Sequence, residues 1–207
     1  MGFTGNIVRD RAILAGLLER LGLPVSMVSA LLAHARAVAR ASERLGLIAP
    51  GDRAAVVARH SADSLLFALA RAPRPEETWV DVGSGAGFPG LVLACCYPAT
   101  SFTLVESQQR RAGFLELQVA DLGIANAAVL PGRIEELDGL HDVAVTRAFT
   151  SPREALLTLL SQVRVGGEAI IAAGPDQPVP AGARIVRISD LGLIDSPGVL
   201  FMMTREA

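Results

Sequence analysis

Asp81, Gly83, Gly85 and Gly87 fall within VDVGSGAGFPG, residues 80–90, directly after an apolar run. Glycine at alternate positions admits positive backbone dihedrals and lets a ligand approach main-chain atoms closely. Asp81, at the end of that run, either faces an ammonium group or caps the turn. Two phosphate-binding patterns fail here. The dinucleotide fingerprint GxGxxG needs glycine where Phe88 stands, and GxxxxGK[ST] needs a lysine. The chain has no lysine at all; its 19 basic residues are all arginine, which also removes lysine Schiff-base chemistry. Glu106 closes SFTLVE about twenty residues beyond the glycines, a position suited to ribose hydroxyls. Its alternative is to cap the helix that follows. Ser107 offers a hydroxyl to the same ligand or serves as that helix's N-cap. An amino acid joined to a nucleoside would suit both carboxylates, so the pattern favours S-adenosylmethionine over a pyrophosphate cofactor.

Other chemistries find little support. Cys95 and Cys96 are adjacent, and His34, His60 and His141 are scattered, so no metal-ligand spacing is present and no metal is expected. There is no compact Ser/His/Asp or Cys/His nucleophile arrangement. No run of 18 apolar residues occurs, and MGFTGNIVRDR does not read as a signal peptide, so we expect a cytoplasmic chain away from membranes.

These residues need a framework to position them. At 207 residues and 51% hydrophobic, the chain can bury one substantial core. Residues 1–77 read as a helical extension, with apolar residues at helical spacing near 7–21, 26–45 and 52–70. Asp52 is placed to cap the third of these, and APRPEET, 72–78, reads as a short linker. From residue 78 the period changes. TWVDV, SFTLVE, NAAVL, DVAVTR and GGEAIIAA are short apolar strands, mostly separated by helical stretches, which predicts a mainly parallel sheet covered on both faces. ARIVRIS and PGVLFMM are expected to form an antiparallel hairpin at the sheet edge, with DLGLIDS between them. The formal charge is -2, which gives no global basic field. The helical part carries ten Arg against seven acidic residues, and residues 78–207 carry nine against fourteen. Any positive surface is therefore expected near the helices or their junction with the sheet.

VDVGSGAGFPG, TLVESQQRRAGFL, PGRIEEL and VTRAF, in that order, resemble the bacterial small-subunit ribosomal RNA guanine-N7 methyltransferase family, also called glucose-inhibited division protein B. RHSADSL, residues 59–65, is similar to that family's RHxxDS motif. The resemblance implies a class I S-adenosylmethionine-dependent methyltransferase, an α/β Rossmann-like fold with an N-terminal helical extension. It implies methylation of guanine 527 in 16S rRNA, with the rRNA or small ribosomal subunit as partner and a monomeric enzyme. It departs from the family at Ala173-Gly174, where many members read Lys-Gly, and in lacking a basic residue before the last strand.

Site expectations follow from the two readings together. Asp81, Gly83, Gly85, Gly87, Phe88, Glu106 and Ser107 would bind the cofactor, with Gly90 serving helix–strand packing. Ile134 and Glu135 resemble the segment on the adenine side. Arg147, just after the fourth strand, contacts a phosphate or base edge, orients the cofactor carboxylate, or forms an ion pair with Asp142. Phe149 either stacks on a flipped base or packs beneath the loop. Arg110 and Arg111 face phosphate or solvent. His60 and Ser64 share a helical face with Asp63 nearby, where the resemblance implies a part in the cofactor or RNA pocket. Guanine N7 already presents a lone pair, so its methylation needs no proton removal, and Arg147 would assist geometry and charge instead of acting as a base. The alternatives are a methyltransferase for another RNA or a small molecule, and a non-catalytic RNA- or nucleotide-binding protein.

Overall fold

A computed structural model describes residues 6–147, 151–188 and 198–207. The sheet has seven strands: β1 Thr78–Val82, β2 Ser101–Val105, β3 Ala127–Leu130, β4 His141–Thr146, β5 Val163–Ala173, β6 Arg184–Arg187 and β7 Val199–Thr204. They run in the order β3-β2-β1-β4-β5-β7-β6. The first five pair in parallel, while β7 lies antiparallel between β5 and β6. The two strands expected as an edge hairpin are thus paired with each other, β6 outermost; DLGLIDS lies outside the described residues.

Alternation along each strand fills two cores. Trp79, Phe102, Leu104, Val143, Val145 and Ile170 pack on one face. Val80, Val82, Val105, Ala144, Ala169 and Ile171 pack on the other against Leu156 and Leu159 of α6, Pro152–Leu160. Side chains of period two with both sheet faces covered explain why these strands are nearly continuous apolar runs. The helices α4, Gly90–Cys96, and α5, Gln109–Asp121, connect β1 to β2 and β2 to β3. Cys95 and Cys96 lie in α4 as free thiols.

The N-terminal part contributes α1 Ile7–Arg20, α2 Val28–Leu45 and α3 Ala62–Ala70. Asn6 caps α1 by accepting from the Arg9 N–H at 3.1 Å. Leu14, Leu17, Leu31, Val38, Leu65 and Leu66 form a third core that runs on into Ala86, Phe88, Val92 and Phe114. Phe67 and Ala68 of α3 belong to the sheet core, so buried packing continues across residue 77. The linker is also braced. Arg71 makes a two-pronged contact with Glu77 at 2.6 and 2.7 Å, and its Nε donates to Glu168 of β5 at 2.8 Å.

The third helical stretch differs from expectation. Residues 52–70 are not one helix: a 3-10 turn, Pro50–Ala55, passes into a π-helical turn, Val57–Ser61, and only then into α3. Asp52 lies inside the 3-10 turn and makes no capping bond there; its carboxylate meets Arg59 and His60 instead. Helix α5 likewise starts at Gln109, with Gln108 and not Ser107 at the N-cap position.

Candidate cofactor and acceptor site

The sheet order reverses between β1 and β4, and the crevice outside their C-terminal ends is where open parallel sheets bind ligands. The glycine turn forms its floor. Gly83 and Ser84 donate their N–H groups to the Val105 carbonyl at 2.9 and 3.0 Å, which ties the turn to the end of β2. Gly83, Gly85 and Gly87 have φ of 74, 55 and 93°, in the left-handed region that favours glycine. A Cβ on Gly83 would meet nothing within 4 Å, so this backbone faces open space. A Cβ on Gly87 would stand 2.8 Å from the Leu91 Cβ and 3.2 Å from His34 Nε2; this glycine is required by packing.

Glu106 organises the turn from β2. It is 5% exposed; Oε2 accepts from the Gly85 N–H at 2.9 Å and Oε1 from the Gln108 N–H at 2.8 Å. Each oxygen retains capacity for a second donor. Asp81 Oδ2 accepts from the Gly90 N–H at 2.9 Å, whereas its Oδ1 is buried without a partner. Burial pushes the Asp81 carboxyl up to about 6, against the opposing pull of the Gly90 N–H and the Arg147 charge. Gly90 permits this contact, since a Cβ there would lie 2.6 Å from the Asp81 Cβ.

Two clefts open on this crevice. One, of about 230 Å³, is lined by Gly83, Ser107, Ile134 and Glu135 together with Gly132 and Arg133. Arg133 N–H donates to Glu136 at 2.9 Å, which shapes the 3-10 turn Ile134–Glu136. The other, of about 190 Å³, lies beyond the ends of β4 and β5, lined by Thr146, Arg147, Pro152, Ile171, Gly174 and Gln177 among others. Thr146 donates its hydroxyl to the Val82 carbonyl at 2.7 Å, locking the end of β4 to the end of β1.

Arg147 turns away from Asp142, which pairs with Arg164 instead. Its guanidinium reaches the N-terminal part: Nη1 donates to the His60 carbonyl and Nη2 to the Arg59 carbonyl, each at 3.3 Å. Nη2 also lies 3.1 Å from His60 Nδ1 and 3.7 Å from Asp63 Oδ2. The Phe88 ring sits beneath, 5.8 Å from the guanidinium carbon. Burial raises the Asp63 carboxyl to about 6 despite the Arg147 and Arg59 charges.

The remaining expected residues divide between the site and its support. Phe88 is buried, stacked on His60 with centroids 5.3 Å apart and tilted against His34 at 5.2 Å, so its ring belongs to the N-terminal core. Ser64 is fully buried and gives its hydroxyl to the His60 carbonyl at 2.7 Å. Arg110 is exposed on α5, and Arg111 donates to the Gly46 carbonyl at 2.9 Å, joining α5 to the end of α2. Phe149 lies outside the described residues. Sequence reasoning gave no site role to His34, whose Nδ1 faces Gln118 of α5 at 3.3 Å, and reads Asp52, which lies beside His60, only as a cap. It also passed over Thr146 and Gln177. Among the described residues, no group of three or more His, Cys, Asp or Glu is placed to hold a metal, and no helix is long and apolar enough to cross a membrane.

The open backbone at Gly83 and the unpartnered buried oxygen of Asp81 fit a nucleoside-linked amino acid better than a phosphate. With the strand order, the glycine turn after β1 and the acidic end of β2, they mark a class I S-adenosylmethionine-dependent methyltransferase. Solved structures share the fold: MtNAS in complex with MTA and tNA (TM-score 0.59, 18% identity, 88% of this chain and 72% of that one), and a putative methyltransferase, yhhF from Escherichia coli (0.53, 16%, 71% and 86%). The family model for rRNA small subunit methyltransferase G matches residues 27–177, and the chain belongs to that family. Relatives called ribosomal RNA small subunit methyltransferase G include one from Chlorobaculum tepidum, 33% identical over 71% of this chain and 69% of its own length. Another, from Moorella thermoacetica, is 35% identical over 71% of this chain and 65% of its own length. A third, from Solibacter usitatus, is 42% identical over 47% of each, so the match spans about half of that relative.

Proposed function

We propose that this methyltransferase acts on N7 of guanine 527 in 16S rRNA. The observation that carries the reading is the chemistry of the cleft beyond β4 and β5. Its described lining offers an arginine, a threonine hydroxyl and a glutamine amide, but no carboxylate, imidazole or thiol. A lining of this kind suits an acceptor that is nucleophilic without losing a proton, as guanine N7 is. The family match to an rRNA methyltransferase supports the choice of RNA.

S-adenosylmethionine, when bound, supplies an electrophilic methyl group on a sulfonium. Gly83 and Gly85 would leave room for its amino-acid and sugar portions, with Asp81 Oδ1 facing the ammonium. Glu106 would accept from ribose hydroxyls while holding the turn through Gly85. Ser107, Ile134 and Glu135 would enclose the adenine side. Arg147 would orient the acceptor and offset phosphate or developing charge. A guanidinium stays protonated, so Arg147 is no base. Positioning of the base against the methyl group then supplies most of the acceleration. The same reading places the enzyme in the cytoplasm as a monomer working on the small ribosomal subunit or its RNA.

The test is transfer of a labelled methyl group to naked 16S rRNA and to small-subunit particles, followed by mapping of N7-methylguanine. Label confined to guanine 527 is expected. Equal transfer to RNA in which that guanine is replaced would overturn the target. The Ala173-Gly174 departure favours another RNA as the second reading, and label elsewhere in the particle would support it.

A further inference from the structure

His60 is expected to face substrate, yet its ring nitrogens face groups of the protein itself, Arg147 on one side and Asp52 on the other. Arg147 Nη2 lies 3.1 Å from Nδ1, and a guanidinium nitrogen can only donate. Nδ1 must therefore accept, which leaves the single proton of a neutral imidazole on Nε2. Nε2 is buried and lies 3.3 Å from Asp52 Oδ2, close but short of the alignment of a full hydrogen bond. One face of the ring is stacked on Phe88, with planes 22° apart. Burial and the neighbouring Arg147 charge lower the imidazole to about 4, which keeps Nδ1 free to accept near neutrality.

The backbone around His60 serves the same guanidinium. In the π-helical turn Val57–Ser61, the Ala62 N–H reaches back five residues to the Val57 carbonyl. The widened turn leaves the Arg59 and His60 carbonyls turned toward Arg147, which donates one hydrogen bond to each from its two terminal nitrogens. Single π turns of this kind are frequent at functional sites. The direct hydrogen bonds of the Arg147 side chain among the described residues thus go to Arg59 and His60, in the helical part and not in the sheet that carries Arg147. Arg59 and Asp63 are the other charged groups here: Arg59 pairs with Asp52, and Asp63 stands 3.7 Å from Arg147.

We propose that Asp52 and His60 are positioning residues for Arg147: the Asp52 carboxylate reinforces the Nε2–H tautomer of His60 that the Arg147 contact selects, and the free Nδ1 holds the guanidinium at the mouth of the acceptor cleft. The N-terminal helical part then completes the active site by setting one side chain of the sheet. The proposal rests on the reading of Arg147 as the group that orients the acceptor.

Two measurements test it. Nitrogen NMR of the wild-type protein reports the His60 tautomer without reference to any reaction. Nε2–H is expected, and Asp52→Ala is expected to admit the other tautomer; an Nδ1–H ring in the wild type overturns the relay. Kinetics then separate positioning from mere folding. His60→Ala is expected to lower turnover on the order of a hundredfold, the scale of a small misplacement of a reacting group. Asp52→Ala is expected to lower it about tenfold, as loss of an outer-shell partner does. Affinity for S-adenosylmethionine should stay within about twofold in both. His60→Asn sets an amide oxygen where Nδ1 stood and should recover most of the lost turnover, whereas His60→Gln, which reaches the Nε2 position, should not. Equal losses in the Asn and Gln variants would contradict the proposal. Wild-type protein that leaves small-subunit RNA unmethylated would refute the functional reading, while the tautomer and its dependence on Asp52 would still decide the relay.

Discussion

Glu106 and Arg147 stand on the two sides of the crevice and should fail in different ways. The Glu106 carboxylate ties the Gly85 and Gln108 amides and has lone pairs left for a sugar. Glu106→Gln turns one acceptor into a donor that opposes a backbone N–H. Weakening of S-adenosylmethionine binding by on the order of tenfold or more is expected in calorimetry, the scale of one charge-assisted hydrogen bond. Arg147→Lys keeps the charge but loses the fork that spans the Arg59 and His60 carbonyls. It should reduce turnover on the order of a hundredfold with cofactor affinity nearly unchanged; the reverse pattern would reject this division of roles. His34 allows a test by pH. Burial lowers its imidazole from 6.5 to about 4, against the pull of Gln118 and the Ala86 backbone. Below pH 6.5 the unfolded chain takes up this proton first, so the stability from a neutral ring is complete above that pH and is lost as pH falls toward 4. Asp63 and Asp81, raised to about 6, act in the opposite direction over part of that window, so the effect must be read against a His34→Gln reference. The wild type should lose roughly 3 kcal/mol more than the variant between pH 7 and 4 in urea titrations. Parallel losses would show that the ring is not held neutral.

At the level of elements, α4 meets β1 and β2 at Gly90 with no room for a side chain. A Cβ there would come within 2.5 Å of Leu104 Cδ2 and 2.6 Å of the Asp81 Cβ. Gly90→Ala should therefore cost about 1–3 kcal/mol in a denaturant titration, the usual scale of overpacking, and weaken cofactor binding by displacing Asp81. Wild-type values would contradict the close approach. The glycine turn and Glu106 were legible in the sequence because each follows directly on its own strand. So were the strands, whose apolar runs are local. The supports of Arg147 were not legible. Its partners His60 and Arg59 lie 87 and 88 residues away, and no local signal separates Asp63 from Asp142 as its carboxylate. The same holds for His34 and Gln118, 84 residues apart. Asp52 was read as a cap because Asp before a helical run usually is one; the 3-10 and π turns that moved it have no marker beyond Pro50-Gly51. The motif places Phe88 at the turn but says nothing of which way its ring faces.

For the whole molecule, the helices and the sheet each contribute to the candidate site. The sheet supplies the glycine turn, Asp81, Glu106 and Arg147, and the helical part supplies the carbonyls and the imidazole that hold Arg147. Both clefts open at the ends of neighbouring parallel strands, so a ligand in one stands beside a ligand in the other. The arginine excess of residues 1–77 belongs to the part that meets Arg147 through Arg59 and His60. RNA affinity on this account has a strong electrostatic component that weakens with salt. The central claim is that the acceptor is a ring nitrogen attacked as it stands. Small-subunit particles rebuilt with 7-deazaguanine at position 527 replace that nitrogen by carbon and leave the pairing edge of the base intact. Labelled methyl transfer at that position is predicted to vanish with the deaza base while unmodified particles are methylated there; undiminished transfer to the deaza base would contradict the account.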